Sequence, residues 1–413
     1  MQLTLRDQLT RFGHLLQQQL FPRVEEELGK LSGPAEMLVQ ILAMVPLRRF
    51  VPVTSGWNGR PALDRYAIAC AFVAKAVYNL CTTRQLLDRL QNDAQLRSIC
   101  GWKSKRDLPH ESTFSRAFAE FAAMELPHLV HEALIADTQK NRLIGHISRD
   151  SSAIPARERL APTTKSKYAA AREKKDKKAT AQKRLFGSAA QKRGRKKKGP
   201  TGPMPRYKRT DPKAKQKSKT RGAKLTHLEQ QAINPNRGLR QLPTACEIGA
   251  KKATNGMVQY WRGYKLLLDV ADGQIPITTW LTSANLHDSQ GAIPMMKESS
   301  KRVTYLYDLM DSAYDAEAIR ECSKSLNHVP IIDWKKRRQA ETSLPCRVTP
   351  QPELSPAERV RYRERTSVER VFGRLKDEFG ARHVRVRGAA KVSTHLLFGV
   401  LALTADQLLK LAG

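Results

Sequence analysis

The spacing of apolar residues predicts helices along the first third of the chain. Over residues 1 to about 140, apolar side chains recur every three or four positions, which is the period of an α-helix. Thr83 and Ser112 come just before two of these runs and are predicted N-caps. We therefore predict an all-helical N-terminal domain over residues 1–140, with helices at 3–20, 35–45, 66–80, 84–90, 114–121 and 126–138.

After residue 140 the apolar runs become shorter and are bounded by turn residues, which is typical of strands. Three predicted strands come first, and predicted helices then separate the remaining strands. This order predicts an α/β fold in which helices flank a mixed sheet. The predicted strands are 143–154, 259–270, 273–281, 303–311 and 329–333, and the predicted helices are 290–297, 316–326, 359–377 and 391–411.

The charge of the chain predicts a polyanionic partner. There are 73 Lys and Arg residues against 39 Asp and Glu residues, a net charge of +34 with a pI near 10.2, and nucleic acid is the first candidate. A membrane surface is the competing partner, but the longest apolar run, 396–403, is too short to span a bilayer. The N-terminus also lacks the order of a signal peptide. We expect no membrane partner and a cytoplasmic, nucleoid-associated protein of the bacterial type.

A basic stretch interrupts the predicted strands. Residues 157–224 hold 26 Lys or Arg residues and four acidic residues, with few aromatic side chains. Such a segment cannot bury enough apolar surface to fold alone, so we predict a disordered, low-complexity insertion over about 157–255. Two interpretations stay open. The segment is either a solvated loop without a fixed role or, as we favour, a binding segment for the DNA phosphate backbone through counterion release.

The cysteines and histidines do not indicate a metal site. Six cysteines are scattered without any short paired spacing, and ten histidines are equally dispersed. We expect neither a disulfide framework nor a zinc site. The thiols are predicted to be reduced and mostly buried.

One predicted helix near the C-terminus places a single carboxylate among cations. At about 100° per residue, a helix over 359–377 brings four polar side chains within an arc of roughly 60°. These four are Tyr362, Arg365, Glu369 and Lys376. Carboxylates bind Mg²⁺ while Arg and Lys bind phosphate, so this arc suits a divalent cation beside a polyanion. An amphipathic helix with ordinary i,i+4 ion pairs is the alternative.

The spacing of these four residues resembles the Tyr–Arg–Glu–Lys signature helix of DDE-type insertion-sequence transposases. The segment 63–121 resembles the helical region before the catalytic domain of that family; docking on transposon-end DNA and a plain helical bundle are both open for it. The resemblance implies a ribonuclease H-like fold for a catalytic domain over 141–413. Further motifs follow in the expected order, namely Asp150-Ser151-Ser152, Gly263-Tyr264-Lys265, Asn285-Leu286-His287-Asp288-Ser289 and Asp311-Ser312-Ala313-Tyr314-Asp315.

The resemblance assigns catalysis to three carboxylates that would hold two Mg²⁺ ions roughly 4 Å apart, with Mn²⁺ as a substitute. It also implies that DNA is bound by polar side chains of the same motifs. The catalytic and metal-binding candidates are Asp150, Asp311 and Glu369. The DNA-binding candidates are Tyr362, Arg365, Lys376 and Lys265.

Three further aspartates need an interpretation. Asp288 could serve as a catalytic carboxylate, but capping of the helix that follows it is the simpler role. Asp315 is also predicted to be a helix N-cap. Asp308 lies three residues before Asp311, within the predicted strand, and is the reserve candidate for catalysis.

The resemblance implies a transposase that cuts DNA at transposon ends and transfers the freed 3′-hydroxyl into target DNA, a cut-and-paste reaction. The expected partners are double-stranded DNA, both as terminal inverted repeats and as target, and a second copy of the chain. Two alternatives stay open. They are a metal-dependent DNA endonuclease on the same fold and a catalytically inactive DNA-binding relative.

Overall fold

The protein is described by a computed structural model over residues 5–51, 64–158, 238–252, 256–333 and 354–412. These residues belong to one compact unit, which is formed by Met1–Leu160 and His227–Gly413. A second unit, Ala161–Thr226, lies outside the described residues, as does most of the predicted basic insertion. The phosphate-binding role of that insertion stays a prediction.

The N-terminal part of the chain is helical, as predicted. In α5, for example, Leu86, Leu87 and Leu90 are buried while the outer face is exposed, so the helix forms by packing an apolar stripe on the core. The helices are α1 (Leu5–Leu15), continuing through a π-helical turn (Leu16–Leu20) into α2 (Phe21–Leu28), then α3 (Gly33–Met44), α4 (Arg65–Val77), α5 (Thr83–Asn92), α6 (Ala94–Ile99), α7 (Glu111–Ala123) and α8 (Leu126–Gln139).

The two N-caps predicted in this region are wrong by one or two residues. Thr82, not Thr83, caps α5: its hydroxyl accepts a hydrogen bond from the Gln85 N–H at 3.1 Å, and the Gln85 side chain accepts one from the Thr82 N–H at 3.0 Å. This reciprocal capping box satisfies two backbone donors at the helix start. His110 caps α7, since its Nδ1 accepts a hydrogen bond from the Ser112 N–H at 3.2 Å.

A mixed sheet follows the helices and has six strands in the described part of the chain. β1 and β4 flank the C-terminal half of β3 in antiparallel register, β2 pairs with its N-terminal half, and β5 and β6 run parallel to β1. The resulting order β4–β3–β1–β5–β6 confirms the predicted mixed α/β fold. The strands are β1 (Leu143–Pro155), β2 (Glu247–Lys252), β3 (Val258–Ala271), β4 (Ile275–Ser283), β5 (Thr304–Met310) and β6 (Val329–Ile332).

One prediction about the strands is wrong. β2 and a preceding 3₁₀ turn, Leu239–Gln241, lie inside the range predicted as a disordered insertion. The sequence of β2 holds one large apolar residue, Ile248, so it has no strand pattern of its own and is ordered by pairing with β3. Asp150 lies within β1, because the residues from Ser151 to Pro155 continue to pair with β3.

Within the described ranges, five further helices pack around the sheet or close the chain, but the single helix predicted over 359–377 is broken. A 3₁₀ turn, Arg363–Arg365, separates its two halves. The break coincides with a contact to the sheet, since the Glu364 carbonyl accepts a hydrogen bond from the Ser148 hydroxyl of β1 at 3.1 Å. The helices are α9 (Ser289–Arg302), α10 (Glu317–Ser325), α11 (Pro356–Tyr362), α12 (Thr366–Asp377) and α13 (Ala389–Ala412).

The long helix α13 lies in the core. Its apolar residues share one buried cluster with residues of α3, α4, α8, α12 and the sheet. Gly399 permits close packing there, because a Cβ at that position would lie 2.6 Å from the Phe379 carbonyl oxygen. Among the described residues, Ala389–Leu411 is long and apolar enough to cross a membrane, and 83% of its apolar window is buried inside the fold. Such burial is what a core helix shows.

A buried lysine links α4 to α13. Lys75 is 6% exposed, and its ammonium donates a hydrogen bond to His395 Nδ1 at 3.3 Å. Burial lowers the pKa of Lys75 from 10.5 to about 8. Burial and the charge of Lys75 also lower the pKa of His395 to about 3. The imidazole is therefore neutral, and its Nδ1 accepts the hydrogen bond from the ammonium. The opposite ring nitrogen then donates to the Gly380 carbonyl at 3.1 Å.

Lys75→Met is expected to raise the free energy of unfolding near pH 7 by about 2 kcal/mol. Relief of the buried charge contributes about 3 kcal/mol, and loss of the hydrogen bond to His395 offsets about 1 kcal/mol of it. The native state releases the Lys75 proton near pH 8, whereas the unfolded state holds it to about pH 10.5. The free energy of unfolding of the wild type therefore increases as the pH rises between those values, and its difference from that of Lys75→Met becomes smaller. Urea denaturation measures this difference, and equal free energies of unfolding near pH 7 would contradict the prediction.

Candidate active site

Two neighbouring parallel strands bring Asp150 and Asp311 to the same level. The register between β1 and β5 pairs Ser148 with Leu309. The same offset places Asp150 beside Asp311, which is the first residue after β5. Both aspartates are half-buried. Two carboxylates that are distant in sequence therefore lie side by side on neighbouring segments of the sheet.

Alternation along β1 separates this site from the core behind it. Ser148, Asp150 and Ser152 face α12, because their side chains lie against that helix or the turn before it. Arg149 and Ser151 point to the opposite face, toward α9 and the loop that precedes it. The strand thus directs its catalytic candidate, Asp150, toward the helix that carries Glu369.

Serine hydroxyls of β1 hold α12 in place. The buried Ser367 hydroxyl donates a hydrogen bond to the Ser148 hydroxyl at 3.1 Å. Two turns further along the helix, the Lys376 ammonium donates to the Ser152 hydroxyl at 2.6 Å. Both contacts come from the face of β1 that carries Asp150. Together they fix the position of α12 along that face.

One guanidinium joins the first and third predicted carboxylates. Arg365 Nη2 donates a hydrogen bond to Glu369 Oε1 at 2.6 Å, and its Nη1 lies 3.8 Å from Asp150 Oδ2. The Arg365 side chain is 17% exposed and the Glu369 side chain is 52% exposed, so this pair lies at the mouth of the site. The structure therefore brings Asp150, Asp311 and Glu369 into one region, with Arg365 between two of them.

Burial raises the pKa of two of these groups. It raises the pKa of Asp150 to about 6; the Ser151 N–H, which donates to Asp150 Oδ1 at 2.7 Å, opposes the rise, and the charge of Asp311 adds to it. Burial also raises the pKa of Asp311, against the Ala313 N–H at 2.9 Å and the charge of Arg365. A cation bound between the two half-buried carboxylates would favour their charged forms.

Two aspartates that are predicted to cap helices do not do so. Asp288 makes no side-chain hydrogen bond to the start of α9; its Oδ1 accepts from the Ser151 hydroxyl at 2.7 Å and from the Lys265 ammonium at 2.8 Å. Asp315 precedes the residue before α10 and lies 3.0 Å from the Arg320 guanidinium. The carboxylate of Asp288 is thus bound by donors from two strands, and that of Asp315 by an arginine within α10 itself.

Lys265 lies on the face of β3 that points away from α12, since it pairs with Ala153 in the register. Its ammonium donates to the Leu286 carbonyl and to the Asp288 carboxylate, both at 2.8 Å, and its side chain is 13% exposed. These bonds hold the loop before α9 against the sheet. The predicted contact between Lys265 and DNA stays a prediction.

Tyr362 ends α11 and is half-buried at the rim of the site. Burial raises the pKa of its phenol to about 12, and the charge of Arg365, whose guanidinium carbon lies 5.9 Å from the ring centroid, opposes the rise. The phenol is therefore protonated near neutral pH and can donate a hydrogen bond. The four residues of the predicted signature helix thus come from α11, the 3₁₀ turn and α12.

A buried charge network lies directly behind the site, and the sequence reasoning missed it. Arg149 is 1% exposed; its Nε and Nη2 donate to the two carboxylate oxygens of Asp269 at 2.8 and 2.7 Å, and its Nη1 donates to Asp308 at 3.3 Å. Asp308, the reserve catalytic candidate, is thereby placed in the core and on the opposite face from Asp150. A charged residue within each of three apolar strands is the signal that could have revealed the network.

The three carboxylates provide the donor atoms of a metal site without forming a closed one. In the part of the chain that the structure describes, no group of three or more His, Cys, Asp or Glu side chains is arranged so that it could hold a metal ion. Glu369 is bonded to Arg365 instead. The donor chemistry fits a hard divalent cation, because Asp150 and Asp311 offer oxygen ligands whose mutual repulsion a cation would relieve.

Comparison with protein families gives two matches. A family model described as a transposase DDE domain matches residues 216–405, and a model described as a transposase domain matches residues 26–120. The chain belongs to the DDE-type insertion-sequence transposases. Neither a curated protein nor a solved structure matches the chain.

The two matches confirm the resemblance to DDE-type transposases and support a transposase function in general, while the Tyr–Arg–Glu–Lys signature stays a prediction. The DDE match includes Asp311 and the whole of α12 with Glu369. It begins after Asp150, so the placement of Asp150 in the site depends on its register beside Asp311. The second match covers α3 to α7 of the helical part.

Proposed function

We propose that this transposase cuts DNA at transposon ends and joins the freed 3′-hydroxyl to target DNA, a cut-and-paste reaction. The observation that carries the proposal is the meeting of Asp150 and Asp311 on adjacent strands, with Glu369 linked to Asp150 through one guanidinium. Phosphodiester transfer needs a nucleophile and a neutralised leaving oxygen. Carboxylates that converge from separate elements of the fold suit that chemistry.

Asp150 and Asp311 would hold Mg²⁺, or Mn²⁺ in its place, and Glu369 would complete the ligands. When bound, two such ions activate the attacking hydroxyl and stabilise the leaving oxygen. The chain itself positions the ligands. The Ser151 N–H orients the Asp150 carboxylate, and the Ala313 N–H orients that of Asp311.

DNA binding and completion of the site would be linked through Arg365. In the structure its guanidinium holds Glu369 and lies near Asp150. A DNA phosphate competes for the same guanidinium, because paired N–H donors match phosphate oxygens. Release of Glu369 would then leave its carboxylate available to a cation. Lys376, which donates to a neutral hydroxyl, and the protonated Tyr362 phenol would make further phosphate contacts.

The sheet supports the same proposal at the level of the fold. In the order β4–β3–β1–β5–β6, β3 runs opposite to its two neighbours, which is compatible with the ribonuclease H-like domain implied by the family. We assign residues 141–413 to this catalytic domain and residues 1–140 to an N-terminal domain that contacts transposon ends. Two copies of the chain would act on the two ends, in the cytoplasm.

A catalytically inactive DNA-binding protein is the second candidate function. The observation that favours it is the bond between Arg365 and Glu369, which occupies the third carboxylate. An endonuclease without strand transfer would use the same three carboxylates for cleavage alone.

A cleavage and strand-transfer assay tests the proposal. The substrate is a labelled duplex that carries the inverted repeats at the borders of the coding region, mixed with a target plasmid and Mg²⁺. The proposed function predicts both cleaved ends and labelled plasmid. Cleaved ends alone would indicate the endonuclease, and binding without cleavage would indicate the inactive relative.

A further inference from the structure

A two-stranded ribbon extends from the sheet beside the candidate active site. β2 pairs with the N-terminal half of β3, whereas β1 and β4 pair with β3 only from Gly263 and Tyr264 onward. Before those residues, β3 has β2 as its pairing partner in the described ranges. We refer to Glu247–Lys252 together with residues 258–262 as the β2–β3 ribbon.

The base of the ribbon is firmly attached to the rest of the fold. The Arg262 carbonyl accepts a hydrogen bond from the Ala156 N–H, just after β1, at 2.9 Å. The Tyr264 hydroxyl donates to Glu158, whose other carboxylate oxygen accepts from the Gly388 N–H at 2.9 Å. The ribbon therefore has a defined direction relative to β1 and Asp150.

The two faces of the ribbon differ. On one face the Trp261 indole lies over Gly249, where a Cβ would be 2.3 Å from the ring, and the indole N–H donates to the Tyr264 carbonyl at 3.0 Å. On the other face large side chains are open to solvent. Their exposed fractions are 52% for Ile248, 48% for Val258 and 72% for Tyr260, and Arg262 beside them is exposed as well.

The ribbon also brings a cation to the active site. Lys251 is exposed, and its charge acts on two residues of the site. It opposes the rise that burial causes in the pKa of Asp311, and it adds to the lowering that burial causes in the pKa of Lys376. Lys251 pairs with Gln259 and therefore shares the ribbon face of Gly249 and Trp261, opposite the open face. From there its charge reaches Asp311, a catalytic candidate, and Lys376, a phosphate-binding candidate.

We infer that the β2–β3 ribbon binds the duplex DNA that continues from the phosphate held at Asp150 and Asp311. The inference rests on the proposed function and adds a DNA-contacting surface to it. A two-stranded ribbon fits the major groove of DNA. From the open face, Arg262 would contact backbone phosphates and the exposed Tyr260 would contact sugars or base edges. Lys251, on the opposite face with Trp261, would contact the phosphate next to the site.

Charge favours DNA over a second copy of the chain as the occupant. The pairs that make up the open face include Ile248 with Arg262 and Ala250 with Tyr260, and none of these residues is acidic. A polyanion complements such a face. The same face of a second copy carries Arg262 as well and no acidic residue in these pairs, so two such faces would repel each other.

The test measures DNA binding by the full chain with Glu369→Gln, so that cleavage does not interfere. Lys251→Gln is expected to weaken binding to the transposon-end duplex about fivefold near 100 mM salt and to reduce the slope of log affinity against log salt by about one. Lys251→Arg is expected to restore both values. Lys301→Gln is the matched control, since it removes the same charge from a 73% exposed side chain near the end of α9.

A photo-cross-linking residue at position 260 adds a measurement of position. Cross-links are expected to nucleotides that adjoin the cleavage site. Cross-links only to a second protein chain, or a salt slope that Lys251→Gln leaves unchanged, would overturn the ribbon proposal. The two proposals fail separately. A protein that keeps Glu369 and makes these cross-links from position 260 without cleaving DNA rejects the proposed reaction alone, and cleavage without a ribbon contact rejects the ribbon alone.

Discussion

Glu369→Gln is expected to abolish cleavage of transposon-end DNA, with a rate loss of at least about 10³-fold, while DNA affinity stays within about threefold of the wild type. An amide is a poor ligand for Mg²⁺, so the stabilisation of transition-state charge is lost. The amide oxygen can still accept the hydrogen bond from Arg365 that Glu369 Oε1 accepts at 2.6 Å. The position of α12 is therefore preserved. Single-turnover cleavage and fluorescence anisotropy measure the two quantities.

Glu378 offers a matched control near the end of the same helix. Like Glu369, it accepts from an arginine four residues earlier, Arg374, at 2.8 Å, and the two carboxylates are 49% and 52% exposed. Glu378 belongs to no candidate metal set. Glu378→Gln is expected to cleave DNA at the wild-type rate. A Glu369→Gln variant that cleaves within about tenfold of the wild type would remove Glu369 from the catalytic carboxylates.

Local pattern was enough to predict most of the regular elements. The helical period over α3, α4, α7 and α8 and the short apolar runs on either side of the turn at Asp272 are properties of neighbouring residues. β2 could not be found in this way, because its order comes from a partner strand and not from its own residues. The break at Arg363–Arg365 was missed for the same reason, since the contact with Ser148 comes from another element.

In the candidate site, too, contacts between residues near in sequence could be predicted, and contacts between distant elements could not. The bond between Arg365 and Glu369 spans four residues of a helical segment, and helical spacing alone predicts it. The meeting of Asp150 with Asp311 depends on the register of two strands, which the sequence did not provide and the family resemblance only implied. The role of Asp288 was missed because its partners lie on other strands and compete with the helix start.

Arg149→Met is expected to lower the free energy of unfolding by about 3–5 kcal/mol, the cost of leaving buried carboxylates without their cation. Asp269 and Asp308 are both fully buried, and Arg149 binds them from β1. Burial opposes ionisation of Asp308, but contact with His328 and the charge of Arg149 outweigh it and lower the pKa of Asp308. Removal of the guanidinium therefore leaves charge that the core cannot solvate.

The network also ties the strands of the site to the helices behind them. The Asp269 carboxylate accepts from Ser299 of α9 at 2.6 Å, and the Asp308 carboxylate accepts from Ser323 of α10 at 2.7 Å. Arg149 therefore links β1, β3 and β5 to both helices. It directly precedes Asp150, the first catalytic candidate, in the chain. Loss of the Arg149 guanidinium is expected to weaken the alignment of β1 with β5 beside Asp150 and Asp311.

Arg49→Met is the matched control for burial. Arg49 makes an ion pair of similar length with Asp137, at 2.8 Å, but the two side chains are 63% and 50% exposed, so we expect a loss of at most about 1 kcal/mol. If the cost comes from unpaired charge, Arg149→Met combined with Asp269→Asn and Asp308→Asn should recover part of the lost stability. Urea unfolding compares the three proteins. A loss for Arg149→Met no larger than that for Arg49→Met would refute the role of the buried network, because Arg149 differs from Arg49 in its burial and in its second carboxylate partner.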